Sequence, residues 1–173
     1  MSGTGPSGAG VRDDRNVVLH SRYIKDLSFE NPCAPVAAAK EDLRFDVSVQ
    51  INGERRGDLH EVVLSIAVTA TKGTESVFSV ELSYAGLFDV IALSREDRSR
   101  FILCEAPRIL FPWVERIVAG ATRDGGLPPL NLTAPDFAEI YRQQCETARE
   151  EGLPRGPEAG APRPSRAVRG GGL

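Results

Sequence analysis

The sequence predicts an α+β domain in which an antiparallel sheet precedes the helices. Three observations carry this. Apolar residues between Phe45 and Tyr84 recur at every second position, the period of strands with one buried face. After Ser94 the period lengthens to that of helices, and capping residues come with it. The alternating runs are joined by short connections, which suit antiparallel neighbours.

The strands come first. In RFDVSVQIN, Phe45, Val47, Val49 and Ile51 alternate with Asp46, Ser48 and Gln50. NGERRGD follows as a turn-rich connection. EVVLSIAVTATK sets Leu64, Ile66, Val68 and Ala70 against Ser65, Thr69 and Thr71, and Lys72-Gly73 turns the chain. ESVFSVELSY then places Phe78, Val80, Leu82 and Tyr84 on one face, with Ser79, Glu81 and Ser83 on the other. Ala85-Gly86 is expected to break that strand, and LFDVIAL (87–93) to form a fourth.

The helices follow. Ser94 to Asp97 resembles a capping box with Asp in the Glu/Gln place, so a helix should start there and run toward Ala106. Pro107 interrupts its hydrogen-bond ladder, and Pro112 either kinks the next helix or marks its first turn. That helix stops at Asp124-Gly125-Gly126, where glycine can supply a left-handed cap. LPPLNL is an extended connector, and Thr133-Ala-Pro-Asp136 opens a last helix with Phe137, Ile140, Tyr141 and Cys145 on one side.

The stretch APRILFPWVERIV (106–118) is unusual. At about 100° per residue, Ile109, Leu110, Phe111, Trp113, Val114, Ile117 and Val118 cover an arc of roughly 200°. A surface helix needs a stripe of only ~100° or somewhat more. Something must cover the second side.

Composition narrows the function. The net charge is −3, and residues 18–144 carry 18 acidic against 14 basic side chains. Nucleic acid, which needs a basic patch to release counterions, is a poor partner for such a domain. No run of ~18 apolar residues can span a bilayer, and the N-terminus lacks the apolar core of a signal peptide, so the expected location is the cytoplasm. Cys33, Cys104 and Cys145 lie far apart and read as ordinary thiols; His20 and His60 read as surface residues. No motif proposes a reaction, a metal or a cofactor. Gly-, Ser-, Pro- and Arg-rich ends make residues 1–17 a disordered lead and 147–173 a disordered tail around a domain at 18–146.

YIKDLSFENP (23–32), YAGLF (84–88), APRILFPWVERIV (106–118), TRDGGLPPLNL (122–132) and PDFAEIY (135–141) together resemble the SecB family of bacterial protein-export chaperones. The likeness extends over about residues 22 to 144, in order. It implies a four-stranded antiparallel sheet with a long helix and a shorter final helix, assembled as a homotetramer that is a dimer of dimers. Helices of other subunits would then cover the second side of 106–118, through Ile109, Leu110, Trp113, Val114 and Ile117. The implied function is binding and not catalysis. Such a holdase captures unfolded precursors by mass action and passes them to the motor SecA, without ATP, cofactor or membrane insertion of its own. A chaperone of the same fold serving a toxin–antitoxin pair is the alternative, and an enzyme on an α+β scaffold a remote third.

Site residues follow from the same likeness. The positions matching the motor-docking surface are Asp26, Glu30, Ser79 and Glu81, and the likeness implies that their partner is the motor's short C-terminal segment, rich in Lys and Arg. Ser79 departs from the apolar residue common there. Val80, Leu82 and Tyr84 match positions tied to client binding or to dimer–dimer contact, with plain core packing as the other reading. Leu43 stands where relatives often carry tryptophan, and Phe45 can replace part of the lost ring.

Overall fold

The computed structural model describes residues 12–13, 17–32, 43–90 and 92–150. Cys33 and most of the expected lead and tail (1–11, 14–16 and 151–173) lie outside the described residues.

Five strands form one antiparallel sheet: β1 (Arg12–Asp13), β2 (Val17–Glu30), β3 (Arg44–Arg56), β4 (Leu59–Lys72) and β5 (Glu75–Asp89). Their spatial order is β1-β2-β5-β4-β3. The two-residue β1 only touches the start of β2, so the working sheet has four long strands. The hairpin β3–β4 turns at Gly57 and β4–β5 at Gly73, whose φ values of 64° and 63° are left-handed and suit glycine.

The fourth strand is not 87–93. It is β2, which pairs with β5 from Val18↔Asp89 to Glu30↔Ser79. β5 runs unbroken through Ala85 and Gly86. Gly86 does not end the strand; it makes room above it. A Cβ there would lie 2.7 Å from the Phe88 ring and 2.9 Å from Leu110 Cδ2. His60 is also misplaced by the sequence reading, since β4 buries it opposite Phe88.

Three segments make the helical layer: α1 (Arg95–Arg100), a π-helical turn (Phe101–Glu105) and α2 (Ala106–Asp124), followed by α3 (Phe137–Glu150). The cap at Ser94 forms as expected: its Oγ accepts from Asp97 N at 3.1 Å. Pro107 does not interrupt the helical path. In a regular helix its ring would collide with the carbonyl four residues back. The π turn relieves this by letting Ala106 N–H reach back to Phe101 O. Pro112 sits within α2 on its exposed side, where the orphaned carbonyl can face water.

The end of α2 is a Schellman motif. Gly126 has φ 79°, its N–H donates to Arg123 O, and Leu127 N–H donates to Thr122 O. Buried Thr122 then holds the connector: its Oγ1 donates to Val118 O and accepts from Leu130 N at 3.0 Å. Asp136 caps α3 by accepting from Ala138 N and Glu139 N. Phe137, the first residue of α3, sets its ring edge-on to Phe111.

α2 packs on β4 and β5. Leu110, Val114 and Val118 are fully buried there, each contributing about 1.5–3 kcal/mol by leaving water. Leu110 and Val114 therefore need no other subunit, contrary to the expectation from the sequence, because they lie on the flank of the wide apolar arc that faces this chain's own sheet. The other flank, Ile109, Trp113 and Ile117, is only partly covered by this chain.

Candidate functional site

The sheet has two unlike faces. Residues opposite each other across an antiparallel ladder share a face. Phe78, Val80, Leu82, Tyr84, Gly86 and Phe88 of β5 point to the helices; Ser79, Glu81 and Ser83 point away. On the face away from the helices each of the four long strands contributes polar residues. Gln50, Ser65, Ser83 and Asp26 stand in one row, with the Ser65 and Ser83 hydroxyls 2.8 Å apart. A shallow depression of about 380 Å³ lies here, lined by Lys25, Asp26, Asn52, Glu54, Glu61, Val63, Ser65 and Ser83.

All four expected docking residues lie on this polar face. Asp26 is opposite Ser83, Ser28 opposite Glu81, and Glu30 opposite Ser79. Each acid thus faces a serine and not another acid, which limits repulsion along the ladder. Glu81 is diagonal to both Asp26 and Glu30, at the ~7–8 Å typical of such neighbours. Asp26, Glu30 and Glu81 are exposed, and Ser79 is half-buried. The result is an exposed acidic row on a rigid surface.

Beside it lies a cluster that sequence reasoning missed. Tyr23 Oη donates to Glu61 Oε1, and Lys25 Nζ lies 2.6 Å from Glu61 Oε2. Arg56 bridges Glu61 and Glu54, at 3.6 and 3.0 Å. Glu61 itself is buried. Burial pushes its carboxyl pKa up, but hydrogen bonds from Lys25 and Tyr23, with the charges of Lys25 and Arg56, outweigh this and hold it below the ordinary 4.5. The hydrogen bond to Glu61, with burial and the carboxylate's charge, raises the Tyr23 phenol above its ordinary 10.0. The hint in the sequence was a charged residue, Glu61, near the start of a strand that is otherwise uncharged up to Lys72.

A pH dependence follows. The folded state favours the ionised Glu61, so this contribution to stability is full above about pH 4.5 and is lost as pH falls through the lowered pKa. The Tyr23 contribution is present below about pH 10 and lost above the raised pKa. Glu61→Gln is expected to flatten the loss of stability between about pH 5 and pH 3. Denaturant titrations across that range check it, and equal slopes for both proteins would contradict it.

The helix side carries apolar surface of a different kind. Val80, Leu82 and Tyr84 are buried in the chain's own core, at 1%, 1% and 6% exposure. Leu43 is half-buried against that core. Phe45 is 43% exposed, as are Ile24 at 47% and Leu27 at 42%, both from β2. Phe45 and Phe29 flank Phe78, with ring centroids 6.3 and 6.1 Å apart from it. The structure therefore separates the expected apolar residues: three are inside, while Phe45 is open on β3 and Ile24 and Leu27 are open on β2, at the opposite side of the sheet. Alternation in β2 could have flagged these last two, had its bulges been visible. Among the described residues no group of His, Cys, Asp and Glu is arranged to hold a metal ion.

Residues 12–148 match the family model of SecB, preprotein translocase subunit. The chain belongs to the SecB family. The chain is 43% identical over 159 residues to the protein-export protein SecB of Rhodopseudomonas palustris (strain TIE-1), covering 88% of this chain and 97% of that one. It is 46% identical over 130 residues to the SecB of Maricaulis maris, covering 72% and 74%. Among solved structures it resembles a SecB-like chaperone of Mycobacterium tuberculosis in complex with a ChAD peptide from the HigA1 antitoxin. That likeness has a TM-score of 0.59 and 16% identity over 69% of this chain and 90% of the other, and it speaks for the SecB fold alone.

Proposed function

We propose that this chain is an ATP-independent holdase that keeps precursor proteins unfolded in the cytoplasm and delivers them to SecA. As a SecB family member it is a protein-export chaperone. The observation that supports the rest is the division of labour between the two sides of the sheet. The polar side carries Asp26, Glu30 and Glu81 for a basic docking partner. The opposite side carries open apolar residues for unfolded chains, including Ile24, Leu27 and Phe45. A holdase uses both at once, and its work is binding with no bond made or broken. Exposed edges at β2 and β3 can add backbone hydrogen bonds to an extended client without demanding a sequence. No helix among the described residues is long and apolar enough to cross a membrane. The test is a ternary complex: the protein, a slow-folding precursor and SecA should co-elute. Binding of the precursor without SecA would refute delivery and leave the holdase. The antitoxin-peptide complex belongs to a neighbour at 16% identity, while the export proteins stand at 43% and 46%, so export is the reading carried forward.

The same reading includes a tetramer, a dimer of dimers, in which partner helices cover Ile109, Trp113 and Ile117. An apolar flank of three residues left half-covered on one helix supports it. Ile117→Asp is expected to dissociate the assembly while the subunit stays folded, because a charge in a partner-covered interface costs several kcal/mol. Light scattering with circular dichroism checks this. A wild-type species of 18.7 kDa, the monomer mass, would overturn the tetramer.

A further inference from the structure

The stretch YIKDLSFE (23–30) poses a parity problem. In an unbroken strand Tyr23 and Lys25 share a face with Leu27 and Phe29, and Ile24 shares one with Asp26, Ser28 and Glu30. The ladder does otherwise. Tyr23 pairs with Ala85 and Ile24 with Tyr84, but Asp26, not Lys25, pairs with Ser83. Lys25 is the extra residue of a bulge. Had pairing continued from Tyr23 without it, Lys25 would oppose Ser83, Asp26 would oppose Leu82, and Leu27 would oppose Glu81. Asp26 and Glu30 would then turn toward the helices, and Leu27 and Phe29 toward the docking face.

Both ends of the bulge are held. Downstream, Phe29 packs against Phe78, and Asn31 Nδ2 donates to Gly125 O at 2.8 Å. Upstream, Arg22 stacks 4.1 Å over the Trp113 ring. At the bulge itself, Glu61 reaches from β4 across β5 and takes both Tyr23 Oη and Lys25 Nζ. Its side chain is 5% exposed, so it cannot itself serve as a docking contact.

We propose that Glu61 is a positioning residue for the docking face: by gripping Tyr23 and the bulged Lys25, it fixes the parity that displays Asp26 and Glu30 beside Glu81. This rests on the reading of that face as the surface for a basic segment of SecA. It adds a prediction that simple electrostatics reverses. Lys25→Met removes a positive charge next to an acidic row, which by charge alone strengthens binding of a cationic partner. If Lys25 is instead needed to seat the bulge, the same change weakens binding.

The experiment titrates the Lys- and Arg-rich C-terminal segment of SecA against the full-length protein and four variants. Glu81→Lys tests the face itself. Lys25→Met and Glu61→Leu are expected to bind about tenfold more weakly than wild type, and Tyr23→Phe, which alters no charge, about threefold. Backbone amide exchange at 26–30 is expected to quicken in the first two, while affinity for an unfolded precursor stays at the wild-type level. Lys25→Met binding as well as or better than wild type overturns the positioning role. If Glu61→Leu fails to fold, Lys25→Met and Tyr23→Phe still decide. Wild-type affinity in Glu81→Lys would overturn the docking face instead, so the two failures are distinct.

Discussion

Gly86→Val is expected to destabilise the domain by about 3 kcal/mol or more, the upper range for overpacking a closed core. The reason is local. α2 crosses β5 at Gly86, and a Cβ there already comes within 2.7 Å of the Phe88 ring and 2.9 Å of Leu110 Cδ2. Phe88 and Leu110 are both wholly buried, and Phe88 is also held edge-on by Phe101 at 5.3 Å, so neither ring nor methyl can swing aside into solvent. Against this stands the gain from removing glycine's freedom in the unfolded chain, only about 0.5–1 kcal/mol. Packing wins. The melting temperature should fall by about 10 °C. A double mutant sharpens the test. Leu110→Ala alone should cost about 2–5 kcal/mol by leaving a cavity. In the Gly86→Val background the added side chain can fill part of that cavity, so the two costs should sum to more than the pair shows. Strict additivity, or a Gly86→Val protein as stable as wild type, would mean that the helix does not press on the sheet here.

Glu81→Lys is expected to weaken binding of the SecA C-terminal segment by about tenfold or more at low salt. Single exposed ion pairs contribute only about 0–1 kcal/mol. The larger effect arises because Glu81 is the middle of the row, diagonal to both Asp26 and Glu30. A lysine there removes one attraction, repels the cationic partner, and offsets part of the field of both neighbours. Affinity of the wild type should also fall as salt rises past ~0.15 M, where the Debye length is about 8 Å, and the gap between the two proteins should narrow with it. Client affinity should not move, since the apolar residues lie on the other side of the sheet. Isothermal titration at two salt concentrations, with the segment and with an unfolded precursor, reads both effects. Equal affinities at low salt would remove the acidic row from the docking mechanism.

Elements whose signals are local can be read from the order of residues alone. Strict alternation marked β3, β4 and most of β5, because one face of each is buried and the other is polar. The cap at Ser94, the stop at Asp124-Gly125-Gly126 and a helix start within 133–136 were readable because each is made by residues within one turn of each other, and the structure puts the last cap on Asp136. The outward aim of Glu81 followed from its strand's period alone. β2 was not readable in this way. Two bulges, between Leu19 and Ser21 and between Ile24 and Asp26, break its alternation, and around the second β2 meets Glu61 of β4 and Trp113 of α2. Gly86 was misread for a related reason: a glycine that ends a strand and one that admits a helix look identical until the helix is in place. So Asp26 and Glu30 came to the site through family likeness, and only the tertiary structure turned them onto the face of Glu81. Local sequence encodes which residues alternate. Which way a bulged edge strand faces is set by contacts from two strands away.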